Sequence, residues 1–188
     1  MPLWGTSDAD ESKPKNLTTA EKKEEYATSS GWVREAGSIL SGNGNVNADP
    51  EVLVAVSGLA VSLGAADITE IEFITTAFDK SDGGTLQVRV RFNEEVDVTG
   101  TPQLTVVNDT NANHTLSYAS GRGTNELVFS LTIGANNAAT AADDVLSIGA
   151  NAMALNGGAV KDKGTSTNST ITNVASIGTA AGTITVTA

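Results

Sequence analysis

The stretch TLQVRVRFNEEVDVTGTPQLTV, Thr85 to Val106, decides the fold. Leu86, Val88, Val90 and Phe92 alternate with Gln87, Arg89 and Arg91, which is the period of a strand with one buried and one polar face. The alternation runs into three carboxylates, Glu94, Glu95 and Asp97, and stops at a Gly100-Thr101-Pro102 turn. Successive strand residues point to opposite faces, so these acids do not form a catalytic pair. With Phe92 inward, Glu94 continues the inward series, and Glu95 and Asp97 face solvent unless a bulge intervenes. An inward Glu94 near a sandwich end would accept backbone amides of a loop. A cation shared by end-loop carboxylates is the alternative.

Outward from this stretch the same logic repeats. Leu127, Phe129, Leu131 and Ile133 alternate with Val128, Ser130 and Thr132, and weaker strands fall at 71–75, 103–107, 114–118, 145–148 and 183–187. The apolar run 52–56 reads as a short buried strand. Gly, Asn and Asp clusters at 81–84, 108–113, 121–125 and 156–158 punctuate the strands. Short strands spaced by turns, with almost no helical pattern, predict an all-β chain folded as an antiparallel β-sandwich over 51–188. At 188 residues there is room for one core and an appendage.

The appendage is built differently. Residues 1–35 carry 12 of the 33 charged groups and both tryptophans, so charge concentrates where no core periodicity exists. Thr18-Thr19-Ala20-Glu21 fits a capping box and predicts a short helix over 19–27. With only Ala20, Tyr26 and Ala27 able to pack, that helix needs a surface to lie on. Indole rings in a core-poor segment are the residues most enriched at interaction hot spots. Residues 1–50 therefore read as an extended N-terminal arm and linker, with Trp4, Tyr26 and Trp32 as anchors. The other reading folds both indoles back onto the β domain of the same chain.

Composition narrows the function classes. Asp and Glu number 22 against 11 Lys and Arg, a formal charge of -11 that repels nucleic acid and anionic lipid. Cysteine is absent, which removes thiol nucleophiles and thiolate metal sites. The first residues lack the basic start and apolar core of a signal peptide, and no apolar run approaches the ~20 residues of a membrane helix. Synthesis in the cytoplasm is the expectation, with no nucleic-acid or membrane partner.

Candidates for chemistry are few. His114, the single histidine, starts a predicted strand and reads as an exposed or cross-strand residue. Asp79-Lys80-Ser81-Asp82-Gly83-Gly84 resembles a calcium loop only superficially. Ser81 stands at its third position and Val90 at its twelfth, so it reads as a hairpin turn. Because calcium accepts any cluster of oxygens, Asp79, Asp82 and Glu94 remain the residues to hold a cation or a loop. No cofactor is expected, and the chain is not expected to be an enzyme.

Three segments in order carry a resemblance: 85–106, LSYASGRGTNELVFSLTI at 116–133 and LNGGAVKDKG at 155–164. Their Phe-x-Glu-x-Val strand end, Thr-Gly-Thr-Pro turn and Ser-Gly-x-Gly-Thr-x-x-Leu hairpin resemble bacterial immunoglobulin-like modules. Such modules occur as repeats in large surface proteins and singly in phage structural proteins. PLWG at 2–5, TTAEK at 18–22, YAT at 26–28, GWVREAG at 31–37 and DPEVLVAVSGL at 49–59 are similar to the start of small virion structural proteins of marine cyanophages. The resemblance implies an immunoglobulin-like sandwich and a phage head or neck accessory protein, first of all a capsid decoration protein on the virion surface. Its partner would be the major capsid protein, bound by the N-terminal arm, with homo-oligomers at capsid symmetry positions left open. The alternative is a neck, tail or fibre-associated adhesion module for a receptor or glycan.

Overall fold

The computed structural model describes residues 18, 21–38, 40, 42 and 44–188. The chain is an all-β sandwich, as its alternating patterns predict. Twelve strands are present among the described residues, with one short helix, α1 (Ala175–Ala180). In chain order they are β1 (Glu25–Thr28), β2 (Gly31–Arg34), β3 (Glu51–Ala55), β4 (Ile68–Phe73), β5 (Phe78–Asp79) and β6 (Gly84–Thr99). They continue as β7 (Gln103–Asn108), β8 (His114–Ser120), β9 (Thr124–Ile133), β10 (Val145–Ala154), β11 (Ala159–Asp162) and β12 (Thr183–Thr187).

The hydrogen-bonded order β3-β2-β1-β6-β9-β8-β7-β10-β12-β5 is continuous, and β4 and β11 also pair with β6. One apolar cluster takes side chains from every strand from β4 to β12. A flat sheet cannot aim all its strands at one interior, so the sheet folds over on itself into two layers. Most pairings are antiparallel; β1 with β6 and β12 with β5 are parallel.

β6 confirms the reading of its sequence. Leu86, Val88, Val90, Phe92, Glu94, Val96 and Val98 are all buried, so alternate positions face the core along its whole length. Opposite β9 the register slips between Arg91 and Val96, and within that bulge Asn93 is buried as well. At the end of β6, Gly100 has φ +75°, and a Cβ there would lie 2.8 Å from the Gly158 Cα, so the turn and its close neighbour both require glycine.

The N-terminal region departs from expectation. The capping box forms, with the Thr18 N–H donating to Glu21 Oε2 at 2.7 Å and the Glu21 N–H to Thr18 Oγ1 at 3.2 Å. It starts only a single 3-10 turn, Glu21–Lys23, after which the chain becomes β1 rather than the expected helix. β1 and β2 form a hairpin that pairs with β3 on one side and, through Ala27 opposite Glu94, with β6 on the other. Gly31 makes this possible: its φ is +131°, and a Cβ would sit 1.9 Å from the Val54 carbonyl oxygen. The described part of the region before residue 51 is thus continuous with the sheet instead of trailing from it.

A second, small core explains why. Trp32 is fully buried against Ala27, Leu59 and Leu63, with Val54 packed on the cluster. Tertiary burial of one indole outweighs the weak helical preference of Glu21 to Ala27. The run 52–56, expected to be buried, instead falls largely in β3 at one end of the sheet, and Val52 is 58% exposed.

Replacing Trp32 by Ala should cost about 3–5 kcal/mol in chemical denaturation. Trp32→Phe should cost less than the lost area suggests, because the buried indole N–H has no acceptor and Phe removes it. A Trp32→Ala midpoint equal to that of the parent would contradict the packing described.

Candidate functional site

Two places gather the ionisable side chains. The first is the polar face of β6 and β9, where the hairpin β1–β2 and the segment after it leave a cleft of about 510 Å³. Tyr26, Glu35, Arg89, Arg91, Asn125 and Glu126 are among its lining residues. The sequence makes Arg89 and Arg91 a solvated face; the structure covers it. Arg91 donates to Glu126 Oε1 at 2.6 Å, to Glu70 Oε2 at 3.0 Å and to Glu35 Oε1 at 3.1 Å. Arg89 bridges Glu72 and Glu126, and Lys23 reaches Glu70 Oε1 at 2.7 Å. Lys23 and Glu35 come from the N-terminal segment and the rest from β4, β6 and β9, so the ion-pair network clasps one to the other.

Burial sets the electrostatics of the clasp. Glu35 is pushed up to about 7, because desolvation and the neighbouring Glu126 outweigh the attraction of Arg91. Tyr26 is pushed up to about 12 by burial and by Glu95, Glu35 and Glu126, so it stays a neutral phenol.

The second place is the inner face of β6. Glu94 is 0% exposed, and neither carboxylate oxygen meets an N–H or O–H donor. Asp162 of β11 is also buried; its Oδ1 accepts from the Thr165 N–H at 2.5 Å and from Thr165 Oγ1 at 3.0 Å, and its Oδ2 has no donor. Asp162 pairs with Val96, so it lies diagonally across the same inner face from Glu94. Burial first, then a hydrogen bond to Asp162 and the charges of Asp162 and Asp67, push Glu94 up to about 9.

The residues singled out from sequence disperse. Trp4 lies outside the described residues. Trp32 is spent on the chain's own second core, which matches the reading in which an indole folds back, and its ring is not available to a partner. Tyr26 lines the cleft and is half-buried. Glu94 is inward as expected, but the loop-holding role falls to Asp162, because Glu94 receives no backbone amide. Glu95 and Asp97 face outward, paired with Lys163 at 2.9 Å and Arg122 at 3.3 Å.

Asp79 builds the predicted turn: its Oδ1 accepts from the Ser81 N–H at 2.8 Å and Ser81 Oγ at 2.6 Å, and these bonds hold its carboxyl below the ordinary range. Asp82 follows in the same turn, donating its N–H to Asp79 Oδ1 at 3.4 Å. Asp79 and Asp82 precede β6, whereas Glu94 lies ten residues beyond its first residue, on the order of 30 Å along the strand. The three do not meet, and among the described residues no three Asp, Glu or His side chains are arranged to hold a metal ion.

His114 is the cross-strand residue of the two alternatives: it pairs with Val106 of β7 and is buried, with Nε2 3.3 Å from Thr140 Oγ1, and burial lowers its pKa against the pull of Asp144. Sequence reasoning missed Asp144 itself. Burial pushes that carboxyl up, but donors from Ala141 N–H, Thr110, Asn108 and Asn111 outweigh it and hold it well below the carboxylate range. Asp144 pins the 108–111 and 141–144 loops together. The pairing depends on two loops 30-odd residues apart, and no local pattern announces it.

Comparison with family models, with curated proteins and with solved structures found no match for the chain.

Arg91→Met should destabilise the fold by about 3–5 kcal/mol, since Glu35, Glu70 and Glu126 lose a buried partner together. Glu35 binds its proton more tightly folded than unfolded, so its contribution is complete below pH 4.5 and is lost as pH rises to about 7. Glu35→Gln should therefore gain on the parent protein between those two pH values in denaturation midpoints. A constant difference across that window would contradict the shift.

Proposed function

We propose that the chain is a non-enzymatic virion structural protein, a capsid decoration protein that docks on the major capsid protein through its N-terminal region while the sandwich projects outward. One observation carries the reading: the exposed apolar side chains concentrate in one stretch of the chain, directly after the hairpin β1–β2. Of the eight large hydrophobic side chains exposed among the described residues, five, Leu40, Val46, Val52, Val56 and Val61, fall between residues 40 and 61. Val46 is 72% exposed, Val52 58% and Val61 55%, and Val52 lies on β3, which ends the hydrogen-bonded strand order on the hairpin's side.

A terminal strand keeps one row of backbone N–H and C=O groups free for another chain, and exposed valines add the apolar contact that such pairing needs. The anchoring role expected of Trp32 passes in this reading to the β3 edge and its valines. The ionisable groups of the cleft are tied to one another, which suits a scaffold better than a reagent. The strong negative charge favours a protein that stays dispersed before assembly and is held by apolar contacts afterwards.

The test is rebinding to purified particles that lack the protein. Val46→Asp, Val52→Asp and Val61→Asp combined should abolish sedimentation with the particles. A control with Ile74→Asp and Val174→Asp, exposed elsewhere, should bind as the parent does. Equal binding by the combined variant, with its circular dichroism unchanged, would overturn the reading; a positive glycan array with no particle binding would favour adhesion.

A further inference from the structure

We propose that Glu94 and Asp162 share a single proton, and that this proton latches β11 and the N-terminal hairpin onto β6. Glu94 Oε1, Glu94 Oε2 and Asp162 Oδ2 are shielded from solvent and receive no donor from any described N–H or O–H group. The two side chains are 0% and 1% exposed and are diagonal neighbours on the same inner face, since Asp162 stands opposite Val96, two residues from Glu94. Two carboxylates can only accept, so both charged would leave three buried oxygens unpaired and two like charges in contact. One proton converts the repulsion into a charge-assisted O–H···O⁻ bond from Glu94 to Asp162 Oδ2. Burial and the neighbouring Asp162 and Asp67 carboxylates push the Glu94 proton's release up to about pH 9.

The nearby cations Arg34, Arg91 and Lys163 are all engaged elsewhere. On β6, Arg91 is held by Glu35, Glu70 and Glu126, while Glu95 and Asp97 face outward. On β1, Glu25 is bound by Arg34 at 2.6 Å, and after β11 Lys163 is bound by Glu95. From the segment entering β4 comes Asp67, a further negative charge.

The pair's position gives the proton its leverage. Glu94 belongs to the main core's side of β6, yet its backbone partner across the parallel pairing is Ala27, a member of the Trp32 core. Asp162 ends β11, and the turn it holds brings Gly164 against Ala60, where a Cβ would come within 3.2 Å. The pair therefore lies on the seam between the two cores, and charging both members strains both contacts of β6 at once.

Glu94 binds its proton more tightly folded than unfolded, so its share of stability is complete below pH 4.5 and is lost as pH rises through about 9. Within that window the folding constant falls by up to about tenfold per pH unit relative to a variant with no proton to lose.

Trp32 reports the latch directly. In a Trp4→Phe background, titration from about pH 7 to about pH 10 should red-shift the Trp32 emission and raise its acrylamide quenching several-fold, reversibly. Glu94→Gln keeps an N–H donor for Asp162 and has no proton to release, so both changes should disappear. Should that variant fail to fold, Asp162→Asn supplies the donor from the other side and should also remove them. An alkaline transition unchanged in Glu94→Gln or Asp162→Asn would overturn the proposal. So would a transition that millimolar calcium suppresses in the parent but not in Glu94→Gln, because the pair would then hold a cation in place of the proton.

Discussion

Everything in this molecule hangs on β6. Sixteen residues long, it pairs with β9, β4, β11 and β1, and so belongs to the sandwich and to the N-terminal hairpin alike. Its alternation, interrupted only at the bulge where Asn93 is buried too, assigns the two jobs. Even positions from Leu86 to Val98 fill the interior, and odd positions, above all Arg89 and Arg91, carry the ion pairs that hold the covering hairpin. A shift of one residue in its register would exchange the two faces, placing Arg89 and Arg91 in an apolar core and Val88, Val90 and Phe92 against glutamates. The same period that makes the strand stable also makes it irreplaceable as a junction.

The two faces are held by different physics. Inside, apolar area removed from water is non-directional and tolerant of small rearrangements. Outside, the clasp of Lys23, Glu35, Glu70, Arg89, Arg91 and Glu126 is directional and only half-exposed, so its value lies in fixing where the hairpin sits more than in raw stability. Glu94 is the exception that joins them: a carboxyl in the apolar series, opposite the one residue through which the hairpin pairs with β6. What the hairpin covers, β3 uncovers. By extending the sheet past the clasp, β1 and β2 carry β3 and its exposed Val52 to the edge of the sheet.

Much of this was legible in the sequence where a single strand's own pattern suffices. Leu86 to Phe92 and Leu127 to Ile133 gave their facing directly, and the parity argument placed Glu94 inward. The Asp79 turn was equally local. Legibility failed where the answer depends on a partner far away in the chain. Thr18 and Glu21 do make a capping box, but whether a helix follows is decided by Trp32 meeting Leu59 and Leu63. Val52 looked buried because its neighbours are apolar, yet burial depends on whether another strand lies beyond it. Asp162 and Asp144 carry no signal at all until register and loop closure bring their partners into place.

The described N-terminal segment is part of the folded sheet through β6, not an independent arm beside it. Amide hydrogen exchange of the free protein tests this most directly. Continuity with the sheet predicts that the amides of β1 and β2, including Ala27 and Trp32, exchange with protection close to that of β6 and β9. Exchange of residues 25–34 orders of magnitude faster than β9, at the rate of an unstructured chain, would contradict it.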